Sequence, residues 1–583
     1  MPQDRRHCGR RLPFRQGGFL TLPFSSPLTT LFAAFVQNRH NMSGIHFRMQ
    51  RLMKLQQMSE RMHDAARLIA PRPQGARGCL IATRGTMGLR FHRIYEINTR
   101  AWLQERVLQH QMSRPNLADV PDDDIRLWQR WQIDAVWLMG VWQPSPHGTL
   151  ASLADPKLLT AFQHALDDFT LDDCIGSPYA VQRYEVSERL GGIEALLTFR
   201  RRLREAGIGL ILDFVPNHTA CDHPWVYEHP AYYMQGSVED VMRAPQDYFV
   251  AVTAEGTKYI AHGRDPYFPS WSDTAQLNYA NAEVHDAMRA ELLRIAQWCD
   301  GVRCDMAMLC MPEVFARTWQ RCTPSPPAFW STAIHAVHQQ CPEFCFIAEV
   351  YWQLEACLHQ DGFAFTYDKE FYDALVAKDP AKLRWLLRPD RLNQHACLRF
   401  LENHDETRAV SHFTAAQSAA GVVALLTLPG VTLLHEGQIE GRRYHTPVHL
   451  RRRRHEPVDP CLSALYERLL SLPTIQEGTF VLLPTTMTSE SNQTFQNILA
   501  WAWHHDQQLW IVAVNYADVT SQGFLSVAAL PLSAEVLLFR DHLQGVDYER
   551  GKGDLQDRGL YVELAPFMSH VFEVLPQPLE ETR

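Results

Sequence analysis

Two hydrophobic periods take turns along most of this chain. From Arg93 onward, short apolar runs give way to stretches with the 3.6-residue spacing of a helix, and the cycle repeats. Residues 94–97 read as a strand, followed by helical patterning from Trp102. A second apolar run covers 135–139, and a long loop then leads to Tyr184. A helix over 193–206 precedes a third strand at 208–213, whose apolar run ends in Asp213, as a strand buried on both faces would. The stretch after it lacks clear periodicity and is rich in His, Tyr, Trp and Pro. A helix over 281–298 follows, then strands at 301–305, 346–349, 363–365, 398–401 and 431–434. Eight βα units predict a (β/α)8 barrel with insertions, in preference to an open doubly wound sheet. No GxGxxG or Walker loop opens a helix, which counts against a nucleotide-binding fold.

The texture changes near Glu477. Runs at 499–503, 509–514, 535–538 and 571–574, separated by polar turns, predict a C-terminal antiparallel β-sandwich. The first residues differ again: Arg5, Arg6, Arg10, Arg11 and Arg15 precede a weakly apolar stretch, 18–36, that contains Pro23 and Pro27. It reads as a disordered extension, or as sequence ahead of a later start at Met42, Met49 or Met53, in preference to an export signal. The expected division is therefore an extension (1–88), a barrel (89–475) with an inserted small domain at 219–275, and a sandwich (476–583).

Composition narrows the setting. Apolar residues at 46% and charged residues at 21% are those of a soluble globular protein. A net charge of -9 counts against a general nucleic-acid binder. Thirteen cysteines without CxxC pairs or metal-ligand spacing point to free thiols in a reducing compartment, hence the cytoplasm. The longest apolar run, 421–434, is broken by Pro429 and Gly430 and is too short to span a bilayer, so no membrane partner is expected. Oligomeric state stays open. Asp122, Asp123 and Asp124 read as charge at a helix start, Trp137 and Trp142 as core or rim packing, and Arg451 to Arg454 as a solvated loop.

The chemistry gathers at strand ends. In Gly301-Val302-Arg303-Cys304-Asp305, alternation points Arg303 and Asp305 the same way. A cation beside a carboxylate lowers its pKa and keeps it ionised, as a carboxylate nucleophile requires. Working residues of such barrels sit at the C-terminal strand ends; Asp213, Asp305, Glu349 and Asp405 fall there, with His218 and His404 close by. Crowded acids raise the pKa of at least one of them. Glu349 follows Phe346-Ile347-Ala348, the most apolar setting, and is expected to hold the proton. One acid and one anionic nucleophile is the pairing of retaining glycoside hydrolysis, which needs carboxyl groups about 5–5.5 Å apart.

Four stretches in order carry a resemblance: Asp213-Phe214-Val215-Pro216-Asn217-His218, Gly301-Val302-Arg303-Cys304-Asp305, Phe346-Ile347-Ala348-Glu349 and Phe400-Leu401-Glu402-Asn403-His404-Asp405, with Gln276-Leu277-Asn278 as a softer fifth. The sequence resembles the α-amylase family of glycoside hydrolases, family 13. That resemblance implies Asp305 as nucleophile, Glu349 as general acid/base and Asp405 as transition-state stabiliser. It implies that His218 and His404 hydrogen-bond the sugar, that Arg303 orients Asp305, and that Tyr179 offers a ring for stacking. Asp213 is structural in that reading. The implied substrate is an α-glucan or malto-oligosaccharide, with transglycosylation on the same site as the alternative and a non-catalytic carbohydrate-binding or scaffold role as a third. Many starch-degrading members carry Lys-His after the nucleophile, contributing to product-side binding and a calcium site. Here Met306-Ala307-Met308-Leu309 stand instead, so no cofactor is required and calcium is in doubt, with Asn217 as one remaining ligand candidate. Met306 and Met308 are expected to form an apolar wall near the acceptor.

Overall fold

Eight short strands run parallel and close into a barrel. The computed structural model describes residues 91–577 apart from 321–327, 474 and 477; the expected extension, 1–88, lies outside the described residues. The strands are β1 (Arg93–Asn98), β2 (Ala135–Met139), β3 (Gly209–Phe214), β4 (Gly301–Cys304), β5 (Cys345–Ala348), β6 (Phe365–Tyr367), β7 (Cys397–Arg399) and β8 (Val431–His435). They are arranged β1-β8-β7-β6-β5-β4-β3-β2, with β1 bonded to both β2 and β8. Seven match the apolar runs of the sequence closely. The sixth starts two residues later than expected: Gly362, at φ 113°, caps the preceding helix, and Phe363 and Ala364 carry the chain up to the sheet before pairing with β7 begins at Thr366.

Register decides what points inward. Glu96 lies beside Trp137, which lies beside Ile211; Asp213 lies beside Arg303, which lies beside Ile347. Parallel neighbours share a face, so these side chains form layers inside the barrel. Apolar residues such as Ile94, Trp137, Ile211, Ile347 and Leu433 fill it, and the charged ones are stacked toward the C-terminal rim. The helix Asp122–Arg130 carries its three aspartates in the first turn, as read from the sequence. Trp137 and Trp142 are both buried.

Between β3 and β4 the chain builds a small lobe of its own. Strand His218–Ala220 pairs antiparallel with Thr274–Gln276, and Tyr248–Thr253 forms a hairpin with Gly256–Ala261. No helix among the described residues is long and apolar enough to cross a membrane.

After the barrel come β9 (Thr479–Leu482), β10 (Thr485–Thr486), β11 (Ile498–His505), β12 (Gln508–Asn515), β13 (Ser521–Leu525), β14 (Val536–Asp541), β15 (Val546–Gly551), β16 (Leu560–Leu564) and β17 (Ser569–Pro576). They form a six-stranded antiparallel sheet, β9-β11-β12-β17-β14-β15, and a three-stranded one, β10-β13-β16. Their facing residues, among them Ile511, Ala513, Leu525, Phe539 and Val562, make one buried cluster. The hydropathy pattern shows β11, β12, β14 and β17 and misses the others. β10 has two residues, and β15 reads Val-Asp-Tyr-Glu-Arg-Gly at an edge with no buried side chain. This unit leans on the barrel through the indoles of Trp501 and Trp503, which both donate to the Thr427 carbonyl, at 3.1 and 2.8 Å.

Candidate active site

Arg303 sits at the centre of the barrel mouth, 1% exposed. Its Nη1 donates to Asp305 Oδ1 at 2.8 Å, and its Nη2 lies 2.8 Å from Glu349 Oε2. Tyr367, on β6, places its hydroxyl 3.3 Å from Arg303 Nε, and the rings of Trp137, Tyr179 and Tyr367 surround the guanidinium at 5.2–5.7 Å. Two contacts on one guanidinium keep the Asp305 and Glu349 oxygens that touch it within about 8 Å of each other, a ceiling that admits both the retaining separation of about 5–5.5 Å and the wider inverting one.

Both acids are placed by the ends of their strands. Asp305 N–H donates to Phe214 O at 2.8 Å, and Glu349 N–H donates to Cys304 O at 3.0 Å, extending the β3–β4–β5 ladder one step past the strands. Glu349 Oε2 also accepts from the Met306 N–H at 2.7 Å, and Oε1 from the Tyr351 hydroxyl at 2.7 Å. Met306 reaches that position in the left-handed region, φ 42°, which is uncommon for a methionine.

Two expectations change here. Arg303 was expected to hold Asp305 below the usual carboxylate range; burial outweighs it, and the Asp305 carboxyl is pushed up. Glu349 is pushed up as well, by burial first and by the Asp305 and Asp405 charges, against the opposing pull of Arg303. Its setting is not the apolar one read from Phe346-Ile347-Ala348, because the same guanidinium touches both acids. Two buried acids raised together titrate as a pair, not as a fixed anion beside a fixed acid. Asp213, deeper by one register step, accepts from Trp137 Nε1 at 3.2 Å and Gly140 N–H at 3.3 Å, and burial raises it to about 7.

Asp405 stands on the loop after β7. Asn403 Oδ1 accepts from the Asp405 and Glu406 N–H groups at 2.9 and 3.0 Å and fixes the turn. The Asp405 side chain is 54% exposed, and His404 Nε2 lies 3.1 Å from its Oδ2. Enclosure raises the Asp405 carboxyl, but the His404 imidazole outweighs that and holds it well below the usual range. His404 moves the opposite way. Burial lowers it, but Asp405 and Glu96 together carry it well above the ordinary imidazole value. Glu96, on β1 and fully buried, accepts from His404 Nδ1 at 2.5 Å. Sequence reasoning missed Glu96; a carboxylate in the middle of the apolar run 94–97 was the available signal.

Tyr179 and His218 complete the rim. The Tyr179 ring stacks on His404 at 5.3 Å and 26°, with its hydroxyl 2.7 Å from His404 Nε2, so one face is already occupied. His218 is buried against Trp271, and burial lowers it to about 4, leaving it neutral. The structure therefore brings Asp305, Glu349, Asp405, Arg303, His404, Tyr179 and His218 to one mouth. It does not bring Met308 there: that side chain is fully buried, so it cannot be part of an acceptor wall, whereas Met306 is half-buried. Asn217, the remaining calcium-ligand candidate, accepts at Oδ1 from Gln276 Nε2 at 3.0 Å. Among the described residues no three His, Cys, Asp or Glu side chains cluster as a metal set.

The run Arg451 to Arg454 is not a solvated loop. Arg452 pairs with Asp173 and Asp168 at 2.6 and 2.9 Å, and Arg454 pairs with Asp167. Arg453, 5% exposed, bridges Glu105 and Glu436.

An eight-stranded parallel barrel with a lobe inserted after its third strand, clustered acids at its C-terminal rim and an antiparallel sheet domain behind it is the class that fold and site define. Residues 129–446 match the alpha amylase catalytic domain, and the chain belongs to that family. Alpha-amylase MalA of Haloarcula japonica is 26% identical over 370 residues, covering 60% of this chain and 44% of that protein. The alpha-1,4-glucan:maltose-1-phosphate maltosyltransferase of Mycolicibacterium smegmatis is 26% identical over 209 residues, 35% of this chain and 25% of that one. The chain thus spans less than half the length of either relative. The crystal structure of the maltogenic alpha-amylase AmyB of Thermotoga neapolitana superposes with a TM-score of 0.59 at 17% identity, over 84% of this chain and 99% of that one, which shows the shared fold.

Proposed function

We propose that this protein cleaves α-glucosidic bonds of α-glucans or malto-oligosaccharides with retention, through a covalent glucosyl intermediate. The observation that carries this is the sharing of Arg303 by Asp305 and Glu349, with Asp405 and His404 at the same mouth. In the first step Glu349 gives its proton to the glycosidic oxygen while an Asp305 oxygen bonds to C1 and the C1–O bond breaks. Glu349, now anionic, then takes a proton from water as that water attacks C1 and releases Asp305. Asp405, charged and half exposed, stands where it can grip the ring hydroxyls and favour the positive charge that develops at C1. His404 and neutral His218 offer hydrogen bonds to the same sugar.

Transfer to a second sugar is the alternative outcome of the same intermediate, and the likeness to a maltosyltransferase keeps it in view. The test is a product profile from maltose, maltoheptaose and starch. Shorter products of α configuration are expected; products longer than the substrate indicate transfer, and no turnover of any α-glucoside overturns the reading. With Glu349→Gln, an activated glucosyl fluoride should leave a glucosyl adduct on Asp305, visible by peptide mass spectrometry.

A further inference from the structure

The segments that follow β1, β2 and β8 are tied to one another on the side of the barrel away from the general acid. In the closed order β1-β8-β7-β6-β5-β4-β3-β2, β1 stands four strands from β5 in either direction, so it lies across the mouth from Glu349. Residues 173–175, between β2 and β3, and 449–451, after β8, form a short antiparallel ladder. Ile175 N–H donates to His449 O at 2.8 Å, Arg451 N–H donates to Asp173 O at 2.9 Å, and Cys174 bridges to Leu450. Arg452 adds an ion pair to Asp173 at 2.6 Å. The helix Thr99–His110, which follows β1, joins both: buried Arg100 donates to Gly140 O at 3.1 Å and to Gly176 O at 2.9 Å, and Glu105 takes Arg442 at 2.8 Å as well as Arg453.

This junction closes a ring behind His404. Four residues beyond Ile175, Tyr179 stacks on the His404 imidazole; four residues before His449, His445 Nε2 donates to His404 O at 2.7 Å. From His404 the path therefore runs through Tyr179 to Ile175, crosses to His449 and returns through His445. The ring is filled. Cys174 and Leu450 are buried with Phe162, whose ring centroid stands 5.6 Å from that of His449. Tyr179 and Val448 both pack down on the apolar cluster inside the barrel. Side chains packed in this way leave few voids larger than a water molecule, and none the width of a sugar.

We propose that the mouth is a blind pocket: it takes the glucosyl unit at the non-reducing end of an α-glucan and refuses internal units, so the enzyme works inward from chain ends. The direction follows from the bond. The general acid meets the leaving oxygen on C1, and in an α-1,4-glucan the rest of the chain leaves the donor ring through O4, on its far side. With Glu349 at the end of β5, that far side faces the segments over β1, where the ring stands. A donor that carries another glucosyl unit on O4 has to push it into packed side chains, and the clash rejects it. The inference rests on the α-glucan reading above and adds to it which part of the chain is bound.

The test compares kcat/KM for two p-nitrophenyl α-maltoheptaosides, one free at its non-reducing end and one closed there by a 4,6-O-ethylidene cap, with products read by chromatography. An enzyme that cuts inside chains treats the two alike; here the capped substrate is expected to fall by at least about a hundredfold, as a built-in clash gives. In Asp173→Ala/Arg452→Ala, which removes both partners of the ladder's ion pair and so strands no buried charge, the capped-to-free ratio is expected to rise roughly tenfold as the ring loosens. A capped substrate cut within about threefold of the free one by the unaltered protein overturns the blind pocket and leaves α-glucoside cleavage standing. A ratio that does not rise in the double variant, with thermal unfolding showing it folded, overturns the assignment of the closure to this junction. If the unaltered protein turns over neither substrate, the active-site reading falls and this one with it.

Discussion

Arg303 ties the two acids together, so their protons move as a pair, while hydroxyl and amide donors bias the pair. Tyr351 donates to Glu349 Oε1 and favours the ionised form. Removing that hydroxyl raises the Glu349 value further, and the alkaline limb of the pH–rate profile, where the acid loses its proton, moves to higher pH. Tyr351→Phe tests this by kcat/KM from pH 4 to 9; a limb that stays put or moves down contradicts it. Glu96 acts one residue further away. It raises His404, and His404 lowers Asp405. A histidine whose folded value lies above its unfolded one stabilises the fold fully below about pH 6.5, and that contribution is lost as pH rises through the folded value. Asp405 has the opposite sign: its contribution is present above about pH 3.9 and lost on acidification. Glu96→Gln is expected to bring the His404 titration, followed by NMR, down toward the ordinary imidazole value. A charge-assisted hydrogen bond lost behind the pocket should also cost about tenfold in kcat. A His404 titration that does not move removes Glu96 from this role.

The loop after β8 shows what one element can do for a mouth. Arg452, Arg453 and Arg454 pin it to Asp173, Asp168, Asp167, Glu105 and Glu436. Arg453→Met strands Glu436, itself 2% exposed, without its cation and should cost about 3–5 kcal/mol, read from urea unfolding midpoints. Arg454→Met, beside an exposed Asp167, should cost under about 1 kcal/mol. The contrast also explains what the sequence conceals. Arg453 and Glu105 are 348 residues apart, and His404 and Glu96 are 308 apart, so no local pattern joins them. The barrel was legible because each strand carries its own apolar run, and the acids because each closes such a run. Met308 looked available beside Asp305, but a one-turn 3-10 helix, Ala307–Cys310, rolls it inward. Asp305 looked held down by its arginine because neither burial nor the second carboxylate on that arginine shows in a linear stretch.

At the scale of the molecule, barrel and sheet domain share a seam at the end of the helix Ala415–Thr427. Its last carbonyls lack intrahelical partners, and Thr427 O takes both indoles instead. Replacing Trp503, which is 1% exposed, by Phe removes one of those bonds and some buried ring, and about 1–3 kcal/mol of stability is expected to go with it, measured by thermal unfolding. Activity at a temperature well below the transition should hardly change, because the seam lies away from the acids; a collapse of kcat without a change in melting would contradict that placement.

The helix that receives those indoles immediately precedes β8, and β8 bonds to β1 to seal the cylinder. During synthesis the ribosome must deliver some seventy more residues after β8 before Trp501 and Trp503 can lock that helix, whereas domains generally fold from the N-terminal side first. A nascent chain stalled after β8 therefore holds every acid of the mouth yet lacks the latch on its closing stave.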